Sequence, residues 1–165
     1  MEEFDIAIIG GGPAGIMAAI AASADLNIVL LEKNSSLGSK LLITGGGRCN
    51  ITNEKPIKKL LNSFHDKNFL KHSFYTFTNE MLLDLFRNRG LDFIVEDNNR
   101  VFPETEKSQD ILAILKYYLK DITIKYNYEV SDIKKEDNFI INNGIIAEKV
   151  IIATGGATFP KTGST

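Results

Sequence analysis

The stretch FDIAIIGGGPAGIMAAIAA, residues 4–22, limits the possible folds more than any other part of the chain. Residues 4–9 form a short apolar run that stops at glycine, the pattern of a strand buried on both faces of a parallel sheet. Pro13 fits the first turn of a helix, where its missing N–H leaves nothing unpaired. The alanine-rich AGIMAAIAASA that follows predicts a helix with small residues that can lie close on a sheet. NIVLL, residues 27–31, predicts a second buried strand. Strand, glycine turn, helix and strand within about thirty residues make a βαβ unit.

In that setting Gly10, Gly12 and Gly15 take on distinct tasks. Gly10 permits the tight turn, Gly12 lets the backbone approach a pyrophosphate, and Gly15 allows close helix–strand packing. The helix N-terminus, with Pro13 in its first turn and Ala14 next, offers partial positive charge and, from Ala14 on, N–H groups to phosphates. Glu32 ends the second strand, where a carboxylate suits the hydroxyls of an adenosine ribose and disfavours a 2′-phosphate. Without those flanking elements the same residues would be only a glycine-rich turn and a solvated glutamate. ATGGAT, residues 153–158, repeats the theme: an apolar run ends in backbone-exposing residues, Ala153, Thr154, Gly155 and Gly156. Taken alone, this second run reads equally well as a tight turn. A third run, TGGGRCNITN at 44–53, places Gly45, Gly46 and Gly47 directly before Arg48, Cys49 and Asn50.

Elsewhere the patterns are plainer. Residues 33–58 read as loop. Residues 57–72 and 79–89 carry apolar side chains at helical spacing, the second with Asn79 as N-cap and Gly90 as stop. FIVED (93–97) and RVFP (100–103) predict a hairpin turning at 97–99, and residues 108–119 a helix capped by Ser108. Residues 122–152 change to β-rich runs divided by EDN and NNG, which predict an antiparallel meander leading into a last buried strand. The fold class expected is α/β: a Rossmann-like FAD/NAD(P)-binding fold with a parallel sheet, flanking helices and a small antiparallel β-meander.

Composition excludes several classes. The 165 residues suggest one domain. A net charge of −2 gives no electrostatic reason to expect nucleic acid or an anionic membrane. The lysine-rich stretch 55–71 is diluted by acids and reads as a solvated helix face. Tyr126 and Tyr128 read as meander packing rather than a base-stacking platform. The single cysteine cannot form an internal disulfide or a CxxC redox pair, and no metal site is expected. A lone cysteine is more often a small buried hydrophobe than a reactive thiol. No apolar run is long enough to span a membrane, and the acidic start MEEFD is unlike a signal peptide. A cytoplasmic protein is expected.

DIAIIGGGPAGIMAAIAA, LLEKN, KLLITGGGRCNITN, NRVFPET and VIIATGGATFPKTGST together resemble the amino-terminal part of the BaiN-type (YhiN-type, aminoacetone oxidase family) FAD-dependent oxidoreductases. Those are flavoproteins of the glutathione-reductase-like superfamily, and the likeness runs from residue 4 to 165. It implies FAD as cofactor, with ribose on Glu32, pyrophosphate on the Gly10–Gly15 loop, and residues 153–155 beside it. Lys33, Lys40, Val130 and Gly156 join the expected cofactor contacts. TGGGRCN would pass the flavin ring. There Gly45–Gly47 would present N–H groups to developing negative charge, Arg48 would add positive charge, and Asn50 would hold the turn or bond the flavin edge. Cys49 lies within the same segment, and Arg48 and Asn50 are the only catalytic candidates. The chain departs from the pattern at Asn99, where the family often has glycine. It also stops at Thr165, so residues 1–165 are expected to be the FAD-binding domain of a longer flavoprotein, without its substrate domain and last FAD segment.

The function expected is hydride transfer between flavin N5 and a small organic substrate, an activated alkene or an amine, with reduced nicotinamide a candidate electron donor. Two alternatives stand beside it: a non-catalytic truncated dinucleotide-binding module, and a flavoprotein acting on RNA. The chain by itself is expected to hold FAD weakly and to self-associate through the truncated surface.

Overall fold

A computed structural model describes residues 1–22 and 25–157. The chain divides into two compact units, the first of residues 1–41 and 115–165 and the second of residues 42–114. The first begins with β1 (Glu2–Ile9), α1 (Pro13–Ala22) and β2 (Ile28–Leu31). The chain crosses the division along α2 (Ser39–Ile43). The second unit contains β3 (Thr52–Asn53), α3 (Ile57–Leu61), α4 (Lys67–Thr76), α5 (Asn79–Arg87), β4 (Phe93–Glu96) and β5 (Arg100–Pro103). The first unit resumes within α6 (Ser108–Tyr118), at Leu115, and continues with β6 (Thr123–Lys125), β7 (Ile133–Lys135), β8 (Phe139–Ile141) and β9 (Ile145–Ile152).

The first unit is built on a six-stranded sheet of order β6-β2-β1-β9-β8-β7. The four strands from β6 to β9 are parallel, and β8 and β7 continue the sheet antiparallel. All four residues of β2 are buried, as are Ile6 to Ile9 of β1, because a central parallel strand is covered on both faces. On one face Ala7, Ile9, Val29, Leu31, Ile141, Ile145 and Ala147 form a core cluster, against which Phe4, Tyr128, Val130, Ile133 and Val150 pack. α1 contacts β1, β2 and β9 and buries Gly15, Ile16 and Ala19; its small side chains are what allow this.

The second unit carries a three-stranded antiparallel sheet, β3-β5-β4. The expected hairpin forms as β4 and β5 about a 3₁₀ turn at Asp97–Asn99. Asn98 and Asn99 take φ of 63° and 59°, so Asn99 occupies a left-handed position that glycine would also fill.

Several expectations are corrected. The 33–58 segment is not all loop: it contains α2, a 3₁₀ turn at Thr44–Gly47 and β3. The 57–72 helix is two helices, broken between Leu61 and Lys67, with the Asp66 side chain accepting from Phe69 N–H to start α4. Thr78, not Asn79, caps α5, its hydroxyl accepting from Met81 N–H. Asn79 donates instead to the carbonyls of Asn53 and Lys55. Ser108 begins α6 and donates its hydroxyl to the carbonyl of Leu42 at 3.0 Å. Residues 123–125 belong not to the meander but to the parallel edge beside β2. Of the motifs, TFPKTGST at 158–165 lies outside the described residues.

Candidate functional site

The carboxyl ends of the parallel strands are where an open α/β sheet binds its ligand, and in the first unit these ends are knitted together. Gly10 N–H donates to Leu31 C=O at 2.8 Å, Ala153 N–H to Ile9 C=O at 2.8 Å, and Tyr128 N–H to Glu32 C=O at 2.9 Å. Gly10 takes φ of 108°, and a Cβ there would collide with the carbonyl of Ala153. At Gly15 a Cβ would run into the carbonyl oxygen of Gly10. At Gly12 it would meet nothing within 4 Å, so the turn is open on that side. The glycine spacing therefore has two tight positions and one open one.

A cavity of about 350 Å³ lies over this turn, within the usual size range of small-molecule sites. It is lined by Gly10, Gly12, Pro13, Ala14, Glu32, Lys33, Lys40, Val130 and residues 153–155, all expected contacts. It also takes in Gly11, Asn34, Ser39 and Glu129, which the sequence did not single out, and Tyr128, which packs against the core cluster as well. Gly156 is not on its wall; its carbonyl accepts from Lys40 Nζ at 3.2 Å. Lys40 thus fastens the 153–156 segment and borders the cavity at once.

Glu32 is the buried carboxylate of this site, only 7% exposed. One oxygen accepts from Gly11 N–H at 2.7 Å and the other from Asn34 N–H at 2.8 Å. A carboxylate has about four acceptor positions, so roughly half remain for ligand hydroxyls. Gly11 is glycine for the same reason: a Cβ would sit 2.8 Å from that Glu32 oxygen and press on Leu37. The middle glycine of GGGPAG could have been found by asking what the strand-end acid bonds in the folded chain.

In the second unit, Gly45, Gly46 and Gly47 all have positive φ (57°, 69° and 92°), and so does Cys49 at 62°. A Cβ on Gly45 would lie 2.8 Å from Asn50 N and 2.9 Å from the Phe102 ring; Gly46 is open. Asn50 is exposed. Arg48 stacks over Phe102 at 4.2 Å and pairs with Glu96 and Glu106 at 2.5 and 2.9 Å. Those bonds raise the Arg48 pKa and, through the same Arg48 contact, lower that of Glu96. Arg100 also approaches Glu96, at 3.5 Å, so two guanidinium groups face two carboxylates and the charge of Arg48 is balanced where it sits.

Cys49 is 4% exposed, and burial pushes its thiol pKa up, against a smaller opposing effect of a bond to Thr44. A thiol held protonated is a poor nucleophile. Iodoacetamide at pH 7.5 is expected to label Cys49 far more slowly in the native chain than in urea; equal rates would show an accessible thiolate. Among the described residues no three His, Cys, Asp or Glu side chains gather as a metal site, and no helix is long and apolar enough to cross a membrane.

The βαβ turn, the strand order and the cavity over them define a class, the dinucleotide-binding Rossmann domain, and the comparisons make the dinucleotide FAD. The chain belongs to the HI0933-like protein family, the BaiN/YhiN family of the resemblance, whose Rossmann-domain model matches residues 4–165. It is 31% identical to a ribosomal RNA dihydrouridine synthase of Escherichia coli, over 99% of this chain and 42% of that protein. It is 32% identical to a 3-dehydro-bile acid delta(4,6)-reductase of Clostridium scindens, over 96% of this chain and 41% of that protein. The chain thus spans about two fifths of the length of these curated relatives. In fold it is similar to a flavocytochrome c3 fumarate reductase, with a TM-score of 0.68 at 21% identity over 94% of this chain and 34% of that one.

FAD suits what the first unit presents: an open turn at Gly12, the first-turn N–H groups of α1, which have no intrahelical acceptor, and a buried carboxylate with acceptor capacity left.

Proposed function

We propose that residues 1–165 are the FAD-binding domain of a flavin-dependent oxidoreductase that passes hydride between flavin and a small organic substrate. What supports this most is one arrangement: the Gly12 turn, the α1 N-terminus and the Glu32 carboxylate face a single cavity. FAD supplies, when bound, a two-electron hydride carrier.

The chain's own residues bind and orient. The N–H groups of Gly12, Ala14 and Gly15 answer the pyrophosphate charge, helped by the helix dipole. Glu32 accepts from the ribose hydroxyls. Lys33, Lys40, Val130, Ala153, Thr154 and Gly155 complete the adenosine and pyrophosphate surroundings, and Gly156 holds Lys40. Gly45, Gly46, Gly47, Arg48, Cys49 and Asn50 form the proposed flavin-side segment, where glycine backbone exposes N–H groups without Cβ cover. With its charge balanced by Glu96 and Glu106, Arg48 is better suited to holding that turn than to charging the flavin.

The relatives' names narrow the substrate class. A dihydrouridine synthase and a delta(4,6)-reductase are both named for saturating a carbon–carbon double bond. An activated alkene is accordingly the proposed substrate, ahead of an amine, with a reduced nicotinamide as the electron donor. A second reading, a flavoprotein acting on RNA, is favoured by the first of those names and by the lysine-rich helices of the second unit.

Titration of the protein with FAD tests the main reading. Saturable quenching of flavin fluorescence, not displaced by NADH, is expected. Tight NADH binding with no response to FAD overturns it.

A further inference from the structure

We propose that the α3–α4 hairpin of the second unit docks single-stranded RNA, with Lys58, Lys59, Lys67 and Lys71 on phosphates and Tyr75 stacking on bases. This deepens the second reading above and rests on it.

Charge is the first argument. Residues 54–76 hold five lysines and two acids in a chain of net charge −2. This short stretch is therefore positive by three while the rest of the chain is negative by five. Lys58, Lys59, Lys67 and Lys71 are all exposed. None joins the ion pairs found among the described residues, whereas Lys120, Lys125 and Lys134 do. An exposed basic stretch without ion-pair partners, on a chain that is acidic elsewhere, fits a polyanionic ligand.

Shape is the second argument. α4 has no fully buried residue, and a T-shaped pair of Phe64 and Phe74 rings, 5.4 Å apart, joins it to the segment after α3. Lys67, Lys71 and Tyr75 follow at i, i+4 and i+8, so two cations and a ring share one stripe along the helix. Tyr75, on that stripe, is 54% exposed; Phe69, two residues from Lys67, faces away from it. Unstacked RNA bases settle on exposed rings of this kind, while lysines track the backbone. A protein partner fits less well, since lysine is depleted from the cores of protein interfaces.

The test is fluorescence anisotropy of the chain with a labelled 20-nucleotide oligouridylate between 50 and 200 mM salt. Binding should weaken with salt by a slope of about −0.7 per phosphate contacted. Lys67→Glu with Lys71→Glu should lower affinity at least about tenfold and flatten the slope by roughly 1.4. Tyr75→Ala should lower affinity about tenfold with the slope unchanged. Thermal melts and FAD titration confirm that each variant is folded. RNA bound equally well by both variants would overturn this surface and leave the RNA reading standing. No binding by the parent chain would overturn both, and FAD binding would still stand on its own titration. Self-association of the parent chain that Phe69→Ser abolishes, without RNA binding, would make the hairpin a protein interface and overturn the proposal.

Discussion

Gly15→Ala should cost the protein both its stability and its cofactor, while Gly12→Ala should cost only the cofactor. At Gly15 the added methyl would overlap the carbonyl oxygen of Gly10 and come 3.4 Å from Ala153 Cβ. The obstacle is backbone, which cannot swing aside as a side chain does. Forcing extra volume into such a place costs on the order of 3 kcal/mol, equivalent to a Tm lower by about 6–12 °C for a chain of this size. At Gly12 the methyl meets no atom within 4 Å, so the melt should stay within about 2 °C of the parent, yet the methyl would stand where a pyrophosphate must approach. Circular-dichroism melts beside FAD titrations separate the two. Equal melts for both variants would sink the assignment of Gly15 to packing; undiminished FAD binding by Gly12→Ala would sink that of Gly12 to the ligand.

Glu32→Ala is the second large effect. Removing the carboxylate leaves Gly11 N–H and Asn34 N–H without the acceptors they now have at 2.7 and 2.8 Å. Loss of an acceptor from a buried donor such as Gly11 N–H costs about 1–3 kcal/mol and less at the part-buried Asn34 N–H, so the stability lost should be roughly 2–4 kcal/mol. FAD affinity should fall at least about tenfold, since the ribose loses its acceptor. Glu32→Gln is the informative companion: an amide can accept at its oxygen but only donate at its nitrogen, so one of the two backbone bonds should survive. Urea unfolding should then rank the parent above Glu32→Gln and Glu32→Ala lowest. A Glu32→Ala protein as stable as the parent would show that the clasp on Gly11 and Asn34 contributes nothing.

The parts of the fold that were legible are those fixed by near neighbours in sequence. β1, α1 and β2 were readable because an apolar run, glycines, Pro13 and small residues agree at every level. The hairpin at Asp97–Asn99 was readable from its turn residues. What escaped depends on distance along the chain or on very short signals. α2 has five residues, too few to show a period. Thr78 and Asn79 are both good capping residues side by side, and only the pull of Asn53 and Lys55 on the Asn79 amide decides between them. The break between α3 and α4, where Asp66 caps α4, was hidden because apolar spacing runs through it. β6 looked like the start of a meander because its partner, β2, lies about ninety residues earlier. In the site, the glycine motif and Glu32 were legible as types. The Glu32 clasp was not, because Gly11 and Glu32 meet only once β1 and β2 are paired.

That β9 is the inner neighbour of β1 has a consequence for how the protein is born. Ile6 pairs in register with Lys149 and Ile9 with Ile152, so β1 waits for a partner strand made about 140 residues after it. At about 5–20 residues per second the delay is roughly 7–29 s. The sheet of the second unit closes once residue 103 has emerged. Translation thus favours an order in which the inserted unit folds first, while the apolar run IAII, already paired with β2 at most on one side, keeps its other edge bare. During that interval the nascent chain exposes a template for unwanted strand pairing, and a ribosome-bound chaperone would find its binding site there.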